Sequence, residues 1–339
     1  MIRRLLLMIV VLLGAAPLVA QAQMPSGPQR IVAVGDLHGD YAAWIDIARD
    51  AQLVDAANKW IGGQTVLVQT GDIVDRGPDS LKIIRHLQKL DGVAKRAGGR
   101  VIVLLGNHEA MQVTGDYRYV TPGEYAAFAD RQSKARRDLA FDANAKTIID
   151  FYHLRDPSMS PKAIRAEWIT NNPLGKVEYV AAWSPAGELG RWAASLPAAV
   201  KVGDSLFVHG GISAKYTLVP LVEINRRARV ALLAGDASDE AISNDQMGPL
   251  WYRGLVTRAG EAAAGRPTIE SELDGALRGQ GVKRLVIGHT PQIKGIAILR
   301  GGKLILIDTG ISRYYGGKLG WLEIIGDRLI PNTATRSVK

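Results

Sequence analysis

Five short apolar runs, each with a glycine and an Asp, Asn or His at its end, constrain this 339-residue chain more than any other feature. Residues 31–34 lead into Gly35-Asp36-Leu37-His38-Gly39-Asp40, and residues 65–69 into Gly71-Asp72-Ile73-Val74-Asp75-Arg76-Gly77. Residues 101–105 lead into Gly106-Asn107-His108-Glu109, while residues 205–208 and 284–287 end on His209-Gly210-Gly211 and Gly288-His289-Thr290. Runs this short, rich in β-branched residues and stopped by Gly, make buried strands. Between the first three, Trp44, Ile47, Ala48 and Ala51, then Ile83, Ile84, Leu87 and Leu90, recur at helical spacing. Alternating strand and helix predicts parallel βαβ units, whose strand carboxyl ends are where open α/β sheets collect ligands.

The middle of the chain reads differently. From about residue 114 to residue 197 no strand is visible. Thr121-Pro122-Gly123-Glu124, Ser160-Pro161 and Ser184-Pro185 have the form of helix starts. This stretch is expected to be a helical insertion lying over a sheet edge. Further on, two apolar pairs flanking Gly301-Gly302 and Gly326-Asp327 predict hairpins, and residues 332–339 are expected to fray.

At the amino end, Arg3-Arg4 precede an unbroken apolar run over residues 5–13, and Ala20-Gln21-Ala22 supplies small residues for cleavage. The run falls short of the ~20 residues of a stable span. A signal peptide over residues 1–22, cut after Ala22, is therefore expected, with the product periplasmic or secreted and free of stable membrane association. The absence of cysteine removes disulfides, thiolate ligands and a thiol nucleophile from consideration. The formal charge of +9 is scattered and aromatics make up 6% of the chain, so no stripe for nucleic acid is expected. Oligomeric state leaves no mark in the sequence.

Metal chemistry is the natural use of such strand ends. Carboxylate, amide and imidazole donors suit Mn²⁺ first, with Fe or Zn²⁺ as alternatives. Asp36 and His38, two residues apart at a strand end, point to one side and can hold one ion. Asp72 is placed to bridge to a second ion held by Asn107, His209 and His289. Two ions ~3.5–4 Å apart would share an activated water and clamp a phosphoryl group.

The five blocks, in this order, resemble the metallophosphoesterase (calcineurin-like) superfamily, and within it the phosphoprotein phosphatase branch. The resemblance spans residues 30–316 and is weakest in the helical middle. Gly288-His289 is followed by Thr290-Pro291, where phosphodiesterase-like members carry a second His. Asp75 and Glu109 replace the Ala and Asp usual in diadenosine-tetraphosphate hydrolases. Trp251-Tyr252-Arg253-Gly254 and Ser312-Arg313-Tyr314-Tyr315-Gly316-Gly317 stand where eukaryotic signatures would be. On these grounds the chain is most similar to the Shewanella-like bacterial protein phosphatases.

That resemblance implies an α/β fold of two mixed β-sheets sandwiched between helices, a four-layer αββα arrangement, with one catalytic domain over residues 23–339. It implies Asp36, His38 and Asp72 on the first of two divalent ions, and Asp72, Asn107, His209 and His289 on the second. His108 would be the general acid and Asp75 would orient it. Arg76, Arg253 and Tyr315 would contact the substrate phosphate. The implied substrates are phosphoserine, phosphothreonine or phosphotyrosine in protein or peptide, or a small phosphate ester.

A lone Gly-Asp or strand-end His is ordinarily a turn or a satisfied polar group; all five in register are not. Asp40 reads as a helix cap, Glu109 as a structural acceptor, and His86 as a surface residue. His153 and the tryptophans Trp168, Trp183 and Trp192 read as structural. Arg313 reads equally as a substrate contact or a surface ion pair. Two rivals remain: a diadenosine-polyphosphate or nucleotide hydrolase on the same scaffold, and a non-catalytic module that binds metal or phosphoprotein.

Overall fold

The computed structural model describes residues 29–258 and 267–337. The signal peptide expected over residues 1–22 lies outside them. In chain order the elements are β1 (Arg30–Val34), α1 (Tyr41–Asp50), β2 (Val66–Gln69), α2 (Ser80–Arg96), β3 (Arg100–Val103) and α3 (Asn107–Thr114). Six helices follow: α4 (Pro122–Ala126), α5 (Ser133–Ala143), α6 (Ala145–His153), α7 (Pro161–Asn171), α8 (Lys176–Trp183) and α9 (Glu188–Ser195). Then come β4 (Ala199–Val202), β5 (Ser205–Val208), α10 (Leu221–Ala234), α11 (Ile269–Gln280) and β6 (Arg284–Ile287). The chain closes with β7 (Ala297–Leu299), β8 (Leu304–Leu306), β9 (Leu319–Ile325) and β10 (Arg328–Ala334).

Two five-stranded mixed sheets form, ordered β10-β9-β1-β2-β3 and β4-β5-β6-β8-β7. Each has a parallel heart, β1-β2-β3 in one and β5-β6-β8 in the other, with antiparallel strands outside. Side chains alternate across a strand, and here both faces are dry. Ile31, Ala33, Val66 and Val68 of the first sheet pack with Phe207, Val286 and Ile305 of the second. Val32, Val34, Leu67, Leu206, Val208 and Ile287 point the other way, into cores shared with helices such as α1 and α2. Burial on both faces explains why these strands read as continuous apolar runs. The result is the expected helix–sheet–sheet–helix sandwich.

Local chemistry sets the ends. Asp40 caps α1 by accepting the Ala43 N–H, and Thr121 and Glu124 form a capping box on α4. Ser160 caps α7 as expected. Ser184-Pro185 does not start a helix: Ser184 terminates α8, and α9 begins three residues beyond Pro185, behind Gly187. The carboxyl tail is not frayed through residue 337. β10 pairs with β9 as far as Ala334, Arg336 bonds Asp40 Oδ2 at 2.9 Å, and the Ser337 N–H donates to Asp46 Oδ2 at 2.8 Å. Backbone pairing and two buried carboxylates hold a segment whose composition alone gives no reason for order. No described helix is long and apolar enough to cross a membrane.

Candidate metal centre

The loops leaving β1, β2, β3, β5 and β6 converge above the ends of the paired sheets. Their backbone is forced into shapes that side chains rarely adopt. His38 (φ 42°), Asp72 (φ 55°), Asp75 (φ 71°), Arg76 (φ 67°) and His289 (φ 64°) all lie in the left-handed region. Each such residue costs on the order of 1–3 kcal/mol, so its surroundings must hold it there. Glu109 does much of this, accepting N–H bonds from Gly106, Asp72 and Ile73 at 2.8–2.9 Å. It is the structural acceptor the sequence suggested. A Cβ on Gly288 would overlap Asp36 Oδ1, and one on Gly106 would overlap Asp72 Oδ1, so glycine is needed for close approach at both.

Two groups of donors result. The ligand atoms of His38, Asp72 and His108 lie within 4.8 Å of one another, as do those of Asp72, His209 and His289. Asp72 belongs to both. Asp36 stands outside both trios, its two oxygens accepting the His289 N–H at 3.2 and 3.1 Å. Asn107 Oδ1 lies 2.9 Å from His209 Nε2. All six residues expected to bind metal thus meet in one buried cluster.

The donor set fits divalent cations. His209 Nδ1 pairs with the Thr70 carbonyl at 2.7 Å, so its Nε2 is turned to Asn107 Oδ1 at 2.9 Å and to Asp72 Oδ1 at 3.3 Å. An imidazole nitrogen, an amide oxygen and a carboxylate oxygen meeting in this way are a donor set that divalent cations accept. His38 likewise gives Nδ1–H to Val74 O, leaving Nε2 3.8 Å from Asp72 Oδ2. His289 Nε2 is buried with no hydrogen-bond partner. Burial, with His108 beside it, pushes His38 down to about 3, and burial and His209 hold His289 well below its ordinary value. Both are therefore neutral, as ligation requires. Burial, then Asp308 and Asp72, lift Asp36 well above the carboxylate range. Positive charge at the centre would relieve that repulsion.

His108 of the first donor group is also paired with a second carboxylate. His108 Nδ1 lies 2.5 Å from Asp75 Oδ2, and its Nε2 faces Asp72 Oδ2 at 3.8 Å. Burial acts to lower the imidazole, but Asp72 and Asp75 outweigh it and hold His108 above its ordinary value. Arg76 is stacked among Tyr119, Tyr314 and Tyr315, its guanidinium carbon 4.5, 4.7 and 5.2 Å from their ring centres. The Tyr315 ring lies 5.5 Å from His38 and the Tyr119 ring 5.2 Å from His108. Arg253 reaches Thr290 Oγ1 at 3.5 Å, next to His289.

Some residues stand elsewhere than expected, or were not foreseen. His86 is half-buried and fixed, taking the Trp44 indole N–H on Nδ1 and giving Nε2–H to Asn58 O, both at 2.9 Å. Its position on the inner side of α2 replaces the expected surface role. His153 is structural, paired with Met159 O. Trp183 is core, with Trp192 against it and Trp168 against Phe141. Arg313 is exposed, and its backbone N–H bonds Asp40. Asp308, buried and raised to about 6 chiefly by burial, adds an unforeseen carboxylate to the centre. It repeats the strand–Asp–Gly grammar after β8, where the sequence reads only as a hairpin. Tyr119 carries no local signal, and Tyr314 lies in the block that holds Tyr315, but the sequence assigns it no role.

Comparison with known proteins agrees with this geometry. Residues 29–292 match the calcineurin-like phosphoesterase family. The chain belongs to that family, and it is a metal-dependent hydrolase of phosphoric esters. Shewanella-like protein phosphatase 2 of Arabidopsis thaliana is 34% identical over 293 residues, covering 84% of this chain and 72% of that protein. An uncharacterized protein of Schizosaccharomyces pombe is 31% identical over 306 residues, covering 88% and 77%. Among solved structures, the cold-active protein-tyrosine phosphatase of a psychrophilic Shewanella superposes with TM-score 0.64 at 27% identity, over 92% of this chain and 83% of that one.

Proposed function

We propose that this protein removes phosphate from phosphorylated side chains of protein or peptide, with phosphotyrosine favoured over phosphoserine and phosphothreonine. The observation that carries the reading is the His108–Asp75 pair, set beside a two-group donor cluster and an arginine that sits among aromatic rings. Asp36, His38 and Asp72 would hold one divalent ion and Asp72, Asn107, His209 and His289 the other, with Mn²⁺ first among the candidates. Such ions, when bound, supply a nucleophile from water at neutral pH and neutralise phosphoryl charge.

The remaining steps belong to side chains. Asp75 fixes the His108 ring through Nδ1, so the Nε2 proton is presented to the departing oxygen. Arg76 offers a planar fork to the phosphate oxygens, and Arg253 approaches from the His289 side. The Tyr119 ring beside His108 supports the preference within this class. A leaving group protonated there departs across aromatic surface, which stacks on a phenol better than on a serine methylene.

The test compares matched phosphotyrosine, phosphoserine and phosphothreonine peptides and diadenosine tetraphosphate, with Mn²⁺ added and bound metal counted. The phosphotyrosine peptide should show the highest kcat/KM. A higher value for the dinucleotide would transfer the assignment to nucleotide hydrolysis, and bound metal without any turnover would leave a binding module. The leader-like residues 1–22 support export, which sequencing of the mature protein from Gln23 would verify.

A further inference from the structure

The carboxylate that orients His108 is itself held from one direction by an uncharged chain of two side chains. Gln112 lies four residues after His108 on α3, hence on the same helical face, and is fully buried. Its Nε2 donates to both oxygens of Asp75, each at 3.0 Å. The Tyr179 hydroxyl, from α8, donates to Gln112 Oε1 at 2.8 Å. Tyr179 is enclosed by Tyr125, Phe128, Tyr117 and Trp183, with ring centres 5.1–6.3 Å away.

We infer that Gln112 and Tyr179 are positioning residues that set the orientation of the Asp75–His108 pair, an inference that rests on reading His108 as the acid. An amide can present either end to a carboxylate, and only its NH₂ end is attractive. A hydroxyl donating to Oε1 selects that orientation and holds it. Asp75 is then gripped through both oxygens, including the Oδ2 that pairs with His108, and the imidazole has one place to point. The ring of Tyr179 fills the aromatic cluster whether or not it carries oxygen, so the hydroxyl is what reaches the acid. Through it the helical segment between α3 and β4 takes part in proton transfer without touching substrate.

Tyr179→Phe removes that hydroxyl and keeps the ring. Its kcat for phenyl phosphate should fall about tenfold, part of the roughly 10²–10⁴ that a positioned proton donor supplies. For p-nitrophenyl phosphate, whose leaving oxygen needs little protonation, the loss should be about twofold or less. KM and bound metal should not change. Gln112→Met should show the same leaving-group dependence, and adding Tyr179→Phe to it should cost nothing more, because both act along one path. Equal loss on both esters, a change confined to KM, or loss of metal or fold in Tyr179→Phe would show a merely structural role and overturn the inference.

A second readout needs no turnover. The short Nδ1–H bond of His108 to Asp75 should give a downfield proton resonance, identified by its absence in His108→Asn. It should move or broaden in Tyr179→Phe and in Gln112→Met. An unaltered resonance overturns the inference. If the wild-type protein hydrolyses no phosphate ester, the functional reading falls by itself, and the resonance still decides whether these two residues orient the pair.

Discussion

The strand ends and the helical segment from α4 to α9 are built on different principles. At the strand ends, polar side chains are buried between two packed sheets and the helices over them, and their backbones are bent into rare conformations. The helical segment carries ordinary exposed ion pairs, such as Lys134–Asp138, Lys146–Asp150 and Arg165–Asp142, which contribute little each. It reaches the site region through Glu124, which accepts the Asp75 N–H at 3.0 Å, and through Tyr179. The sheets thus supply donors, and the helices supply orientation to one carboxylate. Metal content and the placement of the His108–Asp75 pair should therefore be separable by mutation.

The largest effect should come from Asp72→Asn, because that carboxylate belongs to both donor groups. Bound metal should fall, and kcat/KM should drop by roughly 10⁴, or about 5 kcal/mol at 1.36 kcal/mol per decade. Full metal content in that variant would contradict the shared position. His108→Asn should keep its metal while losing about 10³ in kcat for phenyl phosphate. If metal leaves with the imidazole, the two functions are not separable. Arg76→Ala should cost about 10² in kcat/KM while leaving metal content alone, as loss of one oriented donor to a charged group does.

The smallest effect tests the helical side. Burial, then Asp75, raise Glu124 to about 7 from an ordinary 4.5. Between those values the unfolded chain is ionised while the native state keeps its proton. The stability this gives is complete below about pH 4.5 and is lost as pH rises through about 7. Glu124→Gln titrates nothing, so the gap in Tm between wild type and variant should narrow from about pH 5 to about pH 8. A gap that stays constant would mean that Glu124 is ionised throughout.

What was legible in the sequence follows the same division. Asp36, His38, Asp72, Asn107, His209 and His289 follow glycine-punctuated apolar strands, and a strand end has only one place to put its side chain. Trp44 and Ile83 sit at helical spacing, and both are buried. β4 escaped notice because Ala199–Val202 is a short edge strand with an exposed Lys201. Gln112 and Tyr179 meet across 67 residues. A contact between two helices of ordinary composition depends on how they pack, and no local pattern reports packing. Tyr119 is hidden for the same reason.

The left-handed residues of the centre have one more consequence. At His38, Asp72, Asp75, Arg76 and His289 the chain is least at ease where it is most needed. Glycine at Asp75 would relax the backbone, but it would also leave His108 Nδ1 and Gln112 Nε2 buried without their acceptor, so the gain and the loss oppose each other. Relieving that strain one residue at a time therefore breaks the contacts that hold it, and any attempt to harden this enzyme should start at the far ends of the sheets.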